Sequence, residues 1–237
     1  MYWLGAWAMI WVSIKACITG RIKKWGFRKV PSSLYRMDTD VVAAQVEARV
    51  GKLNTGLSSG MHRHFTAVGV AVSQMCRDPL LLYSAQALED HKQGLCTYAV
   101  EQVVLAIVVT TGIASIFLTK DYTPDYNSGL AHAIFYALTA YPVIEERHLH
   151  GEVVAFGILI ALLVDGQKEE FEKIYELNKS IGLPTRLSDI EITPAQWEEC
   201  LDRIPTMSDV AHYPYKVTRP MLENAMKTLE ERAVSHR

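Results

Sequence analysis

The sequence predicts an all-α protein in which a helical bundle accounts for most of the 237 residues. Apolar residues recur at helical spacing along most of the chain. Helix boundaries are marked clearly, since Thr193 and Pro194 followed by Gln196 form a capping box, and Gly182 ends an amphipathic stretch. No glycine-rich strand–turn–helix signature of a dinucleotide site occurs.

Charge and cysteine content exclude two classes of protein. Lysine and arginine total 24 against 26 aspartate and glutamate, a net charge of −2, so we expect no nucleic-acid partner. The four cysteines are scattered without a CxxC spacing. This predicts free thiols in a reducing cytoplasm, not a disulfide scaffold or a cysteine-based metal site. The expected location is therefore cytoplasmic.

The N-terminus differs from the rest of the chain, so we divide the sequence into an unassigned segment, residues 1–30, and a helical domain, residues 31–237. Residues 1–19 are apolar apart from Lys15, and a basic cluster follows in residues 21–29. That pattern is typical of a membrane anchor with a positive cytoplasmic flank, although Lys15 would be costly in lipid. An N-terminal membrane anchor is the alternative to a cytoplasmic protein. A buried amphipathic segment and a remnant of an upstream domain are the other interpretations.

Helices in the first half are predicted from periodicity and from turn residues. Residues 38–53 form the first predicted helix, and a polar loop follows at residues 54–60. The next helix is expected to end near Asp78 and Pro79. Residues 80–109 are predicted to be helical, because the valine-rich run is longer than a strand and no turn residue divides it.

The second half begins with an expected irregular connection that starts at Gly112. Helices are then predicted from Asn127 or Ser128 to Ala140, at residues 151–164, at residues 168–181, from Thr193, and at residues 218–233.

Two histidines in this half are candidate metal ligands. His132 lies on a predicted helix of apolar and small residues, and His150 immediately precedes another helix. If the two helices run antiparallel, the imidazoles can meet, and facing imidazoles commonly form half of a transition-metal site. The alternative is that both are ordinary hydrogen-bonded histidines of a core or a helix terminus. A third ligand would be a carboxylate, which spacing alone does not identify.

Residues 127–157, NSGLAHAIFYALTAYPVIEERHLHGEVVAFG, resemble the signature of the glycerol dehydrogenase branch of the iron-containing alcohol dehydrogenase superfamily. Residues 177–192 and 209–230 resemble that family's later segments, and residues 40–49 resemble its segment with a metal-binding aspartate. The resemblance covers roughly residues 31–235. It implies the helical C-terminal domain of the dehydroquinate synthase-like fold, without the N-terminal nucleotide-binding α/β domain.

When the family's metal ligands are carried over position by position, the resemblance implies that Asp40, His132 and His150 bind a divalent metal. It implies no catalytic residue beyond these three. Iron-using members have a further histidine where this chain has Ala44, so zinc is the expected metal and iron the alternative. Phe135 occupies the position of another histidine of the family. NAD(P) is implied as the cofactor, but no site for it is visible in this chain.

The implied reaction is hydride transfer between NAD(P) and the carbinol carbon of glycerol, another polyol or a 2-hydroxycarboxylate, with the metal as Lewis acid. A separate nucleotide-binding domain or further copies of the chain are the expected protein partners. The alternative is a truncated, non-catalytic metal-binding helical protein of the same fold, tethered to a membrane through residues 1–29.

Overall fold

The computed structural model describes residues 59–118, 128–211, 213 and 215–234. These residues form helices and connecting turns, and no strand occurs among them, which confirms the predicted all-α fold. The α-helices are α1 (Ser59–Lys92), α2 (Tyr98–Leu105), α3 (Thr111–Leu118), α4 (Leu130–Leu138), α5 (Pro142–Arg147), α6 (His150–Val164), α7 (Lys168–Ile181), α8 (Pro194–Cys200) and α9 (Arg219–Val234). A π-helical turn (Ala106–Thr110) joins α2 to α3. Short 3₁₀ turns lie at Leu187–Ile190, Ile204–Thr206 and Ser208–Val210.

Helix α1 packs along α2, the π-helical turn and α3, and it is longer than predicted. The predicted end near Pro79 is wrong, because α1 continues through this proline to Lys92. A proline inside a helix costs about 3 kcal/mol through its missing N–H and the clash of its ring. Cys76 and Leu80, on either side of Pro79, are fully buried, and their burial favours the continuous helix.

The valine-rich run is helical as predicted, but residues 80–109 are not one helix. The chain turns at Gly94, whose φ is +73°, and Thr97 then caps α2 by accepting from the amide of Val100. The hydroxyl of Thr97 also donates to the buried carboxylate of Asp90 at 2.5 Å. The irregular connection expected from Gly112 is wrong for residues 112–118, which continue helix α3.

Helix α6 is the centre of the bundle and contacts α4, α7 and α9. Its residues from Val153 to Leu162 are buried, so it is apolar on every face, as expected for a helix enclosed by others. The predicted helix at residues 151–164 is therefore confirmed.

Most ends of the helices that precede and follow α6 agree with the capping and turn residues predicted from the sequence. Gly182 ends α7 in the left-handed conformation with a φ of +70°, and Thr193 caps α8 through its capping box with Gln196. Helix α4 begins after Gly129 instead of at Asn127 or Ser128. Pro142 is the first residue of α5, a position where proline is favoured.

Several predictions concern residues that lie outside the described part of the chain: the boundary at residue 30, the apolar run at 1–19, the helix at 38–53 and the ligand Asp40. Among the helices that are described, none is long and apolar enough to cross a membrane. Three of the four cysteines are described, and no disulfide joins them to one another.

Candidate metal centre

Helices α4 and α6 run antiparallel and approach each other closely at Gly157. A Cβ atom added to Gly157 would lie 2.8 Å from the carbonyl oxygen of Ala131 and 3.0 Å from its Cα, both of them backbone atoms. Such distances are too short for any side chain, so glycine is required at this crossing. The close crossing brings the neighbouring residue of α4, His132, next to the start of α6.

The two candidate histidines meet at this crossing, with their ring centroids 5.6 Å apart. His132 is buried on α4, with 5% of its surface exposed, whereas His150, the first residue of α6, is exposed to solvent on one side. Phe135 packs nearly perpendicular to the His150 ring, with centroids 4.2 Å apart. The histidine pair is thus enclosed by the bundle at His132 and accessible to solvent at His150.

Both imidazoles are neutral at pH 7. Burial first, and His150 second, lower the pKa of His132 to about 4, while the charge of Asp209 acts in the opposite direction. Burial also lowers the pKa of His150. A neutral imidazole has a free lone pair, which is the form that binds a metal ion.

The Nδ1 atom of His132 is buried and has no hydrogen-bond partner among the described residues. Most buried polar atoms in folded proteins have such a partner, so a buried nitrogen without one requires an explanation. An ordinary hydrogen-bonded core histidine, the alternative considered from the sequence, does not describe this atom. A ligand bound by His132 would either give the Nδ1 atom a partner or fix the orientation of the imidazole ring.

The carboxylate of Glu152 caps the start of α6, where His150 lies. Glu152 accepts a hydrogen bond from the amide of Leu149 at 3.1 Å and caps the helix. Its Oε2 lies 3.8 Å from Nδ1 of His148, whose Nε2 lies 3.4 Å from Oε1 of Glu191. The hydrogen bond to the amide of Leu149 fixes the backbone one residue before His150.

The structure thus describes two of the three predicted ligands. The structure brings His132 and His150 together, and Asp40 stays a prediction because it lies outside the described residues. Within the described ranges, no group of three or more His, Cys, Asp or Glu residues could hold a metal by itself. Gly157 was not predicted from the sequence as a residue of this region. It lies in the segment 127–157 that carries the family resemblance, which was the available signal.

Replacing Gly157 with alanine is expected to lower the free energy of unfolding by about 1–3 kcal/mol, because the new methyl group overlaps the backbone of α4. The matched control is Gly112→Ala, in α3. There an added Cβ meets no atom within 4 Å, and alanine should raise stability by about 0.5–1 kcal/mol. Urea unfolding measures both changes. Equal effects of the two substitutions would contradict the close crossing.

The metal-free protein should lose stability as the pH falls from about 6.5 to 4. His132 binds a proton more readily in the unfolded chain than in the folded one, so unfolding takes up protons in this window. The loss from His132 reaches about 3 kcal/mol. Burial raises the pKa of Asp165 to about 6, so protonation of its carboxyl group favours the folded state in the same window and offsets part of the loss.

Unfolding in urea at several pH values, with a chelator present, separates these two contributions. His132→Asn should flatten the loss of stability between pH 7 and pH 4, and Asp165→Asn should steepen it. An unchanged pH dependence in His132→Asn would show that this imidazole is not held in its neutral form by burial.

Similarity to known proteins was found with curated proteins and solved structures, whereas no family model matches the chain. Glycerol dehydrogenase 1 of Schizosaccharomyces pombe is 29% identical over 200 residues, which are 77% of this chain and 42% of that protein. Hydroxycarboxylate dehydrogenase A of Escherichia coli is 30% identical over 167 residues, 69% of this chain and 45% of that protein. The chain spans less than half the length of these two relatives.

The crystal structure of a probable glycerol dehydrogenase from Sinorhizobium meliloti superimposes with a TM-score of 0.61 at 26% identity, over 72% of this chain and 47% of that one. Glycerol dehydrogenase from Schizosaccharomyces pombe shares the fold, with a TM-score of 0.59 at 23% identity over 71% of this chain and 42% of that one. With its helical fold and these relatives, the chain belongs to the glycerol dehydrogenase branch of the iron-containing alcohol dehydrogenase superfamily and corresponds to the all-helical C-terminal domain.

Proposed function

We propose that this chain provides the metal-binding domain of an NAD(P)-dependent dehydrogenase acting on glycerol, another polyol or a 2-hydroxycarboxylate. The observation that carries the proposal is the meeting of His132 and His150 across the α4–α6 crossing, with Nδ1 of His132 buried and without a hydrogen-bond partner in the described part of the chain. The names of the relatives support the same proposal. They include glycerol dehydrogenases, a glycolaldehyde reductase and a hydroxycarboxylate dehydrogenase, whose names all refer to small hydroxylated compounds.

The residues at the crossing fit a divalent metal. Two neutral imidazoles would donate nitrogen ligands, and Asp40 would complete a set of two histidines and one carboxylate. Zinc accepts this set with a further position free for substrate, and iron is the alternative. When bound, such a metal supplies Lewis acidity that lowers the pKa of a coordinated alcohol.

Residues around the histidine pair determine the side from which a substrate could reach it. The buried side of His132 faces the apolar interior around α6, where water is excluded. A polyol would enter from the exposed side of His150. Phe135 holds the His150 ring edge to face, so that the imidazole keeps one orientation toward the incoming substrate. Tyr136, exposed and with its ring centroid 6.5 Å from that of His132, presents a hydroxyl group suited to a second hydroxyl of a polyol.

The nicotinamide cofactor requires a second binding element. The described residues contain no strand and no glycine-rich turn that could cradle a pyrophosphate. We therefore assign NAD(P) binding to residues outside the described ranges, to a separate nucleotide-binding domain or to another copy of the chain. In each case the nicotinamide must reach the open side of the histidine pair, because hydride transfer needs contact with the carbinol carbon.

Metal titration of the full 237-residue chain tests the proposal. Competition with a chromophoric chelator should show one zinc ion per chain. His132→Ala, His150→Ala and Asp40→Asn should each weaken zinc binding at least tenfold, since even outer partners of metal ligands are worth that much. His91→Ala, at the end of α1, is the control and should bind zinc like the wild type. Wild-type affinity in both His132→Ala and His150→Ala would overturn the proposal.

The same titration with cobalt(II) tests the substrate class through the visible spectrum of the bound ion. Glycerol or lactate should change that spectrum at millimolar concentration in the wild-type protein, because a substrate hydroxyl would enter the open position. A spectrum insensitive to polyols and hydroxycarboxylates would contradict the assigned substrates. It would favour the alternative of a non-catalytic metal-binding protein.

A further inference from the structure

One face of the helical run formed by α2, the π-helical turn and α3 is apolar and exposed. Five of its side chains, which we call the exposed stripe, are 41–58% exposed: Val104, Leu105, Val108, Val109 and Ile113. Helix α1 packs on the opposite face of the run, where the side chains are buried: Val103, Ala106, Ile107 and Ala114. An exposed apolar face of this kind is typical of a surface that another element covers.

The exposed stripe has a single charge at one end. Glu101 is the only charged residue of the helical run, residues 98–118. It lies four residues before Leu105, so both side chains project from the same face of α2. Glu101 is exposed, and no residue within the described ranges forms an ion pair with it. An element that covers the stripe therefore needs an apolar face with a positive charge at the end that meets Glu101.

The N-terminal segment of the chain has this composition. Residues 1–19 are apolar except for Lys15, and three apolar residues precede it at intervals of three or four positions: Leu4, Ala8 and Trp11. In a helix this spacing puts all four residues on one face. The function proposed above gives this segment no role.

We propose that residues 1–19 dock on the exposed stripe, antiparallel to α2, with Lys15 paired with Glu101. In this direction the apolar residues before Lys15 run along the stripe from Leu105 toward Ile113. Residues 16–58 join the segment to the start of α1. Even the full length of α1, about 51 Å, is well within the reach of these connecting residues. A segment tethered in this way has a high effective concentration at the stripe.

Two other occupants fit the exposed stripe less well. In a two-fold dimer with antiparallel stripes, Glu101 of each copy would lie against the apolar end of the other copy, without a positive partner. A lipid surface would have to accept the carboxylate of Glu101 on the same face as the apolar side chains, and a charge is costly there. Residues 1–19 provide both the apolar face and the positive charge.

Carbodiimide cross-linking of the full chain tests the pairing, because this reagent joins an amine to a carboxylate in direct contact. Mass spectrometry of the peptides should show an amide between Lys15 and Glu101 in monomeric chains. Lys15→Glu and Glu101→Lys should each lose this amide, and the chain with both substitutions should regain it with the partners exchanged. Lys24→Glu, in the basic cluster, is the control and should keep it. An amide found only in covalent dimers, or Glu101 joined only to other lysines, would overturn the proposal.

Tryptophan fluorescence tests the docking of the apolar side chains. Three of the five tryptophans lie in residues 1–19, whereas Trp197 is buried in the core. Val108→Glu should lower the ratio of docked to free segment at least about tenfold, because burial penalises an unpaired charge strongly. Quenching of the fluorescence by acrylamide should then increase. Leu82→Glu is the matched control, since Leu82 lies on α1 and is 71% exposed, and it should be quenched like the wild type.

Each remaining outcome decides against or for the docked segment. Equal quenching of the wild type and Val108→Glu would show that residues 1–19 do not cover the stripe. Protection of the tryptophans that appears only with vesicles of phosphatidylcholine and phosphatidylglycerol would overturn the proposal in favour of a lipid surface. Should far-UV circular dichroism show that Val108→Glu is unfolded, the cross-link between Lys15 and Glu101 decides. Zinc binding is measured separately, so failure here leaves the proposed metal centre unaffected.

Discussion

The backbone contact between α4 and α6 at Gly157 is the constraint on which the rest of this structure depends. Because glycine at position 157 has no side chain, α6 approaches the backbone of α4 at Ala131 closely. His132 of α4 and His150 of α6 can therefore meet. Helix α6 is also the element that α7 and α9 cover. The same crossing therefore organises the core and positions the candidate ligands, so a change that separates α4 from α6 would affect folding and metal binding together.

The arrangement carries an energetic cost that a bound cation would remove. His132 is buried in its neutral form, and its Nδ1 atom has no hydrogen-bond partner among the described residues. A buried polar atom without a partner is unfavourable. A divalent ion that His132 binds would offset this cost. Strained or unsatisfied positions of this kind are common at functional sites, which is where local rules of stability are expected to fail.

Local signals in the sequence predicted the later helices well. Gly182 and the capping box at Thr193 act over a few residues, so one sequence is enough to recognise them. The continuation of α1 through Pro79 could not be predicted, because it depends on the burial of Cys76 and Leu80 against other helices. For the site, the resemblance identified both histidines. Gly157 could not be predicted as a residue of the site, because its role depends on how closely α4 and α6 pack against each other.

X-ray absorption spectroscopy of the zinc-loaded chain tests the central claim, a metal held by His132 and His150, most directly. We expect two imidazole nitrogens at about 2.0–2.1 Å, recognisable by the outer scattering of their rings, together with oxygen ligands at about 2.0–2.2 Å. The His150→Ala variant should lose one of the two imidazole signals. Zinc bound through sulfur at about 2.3 Å, or a spectrum without imidazole scattering, would contradict a metal centre at the α4–α6 crossing.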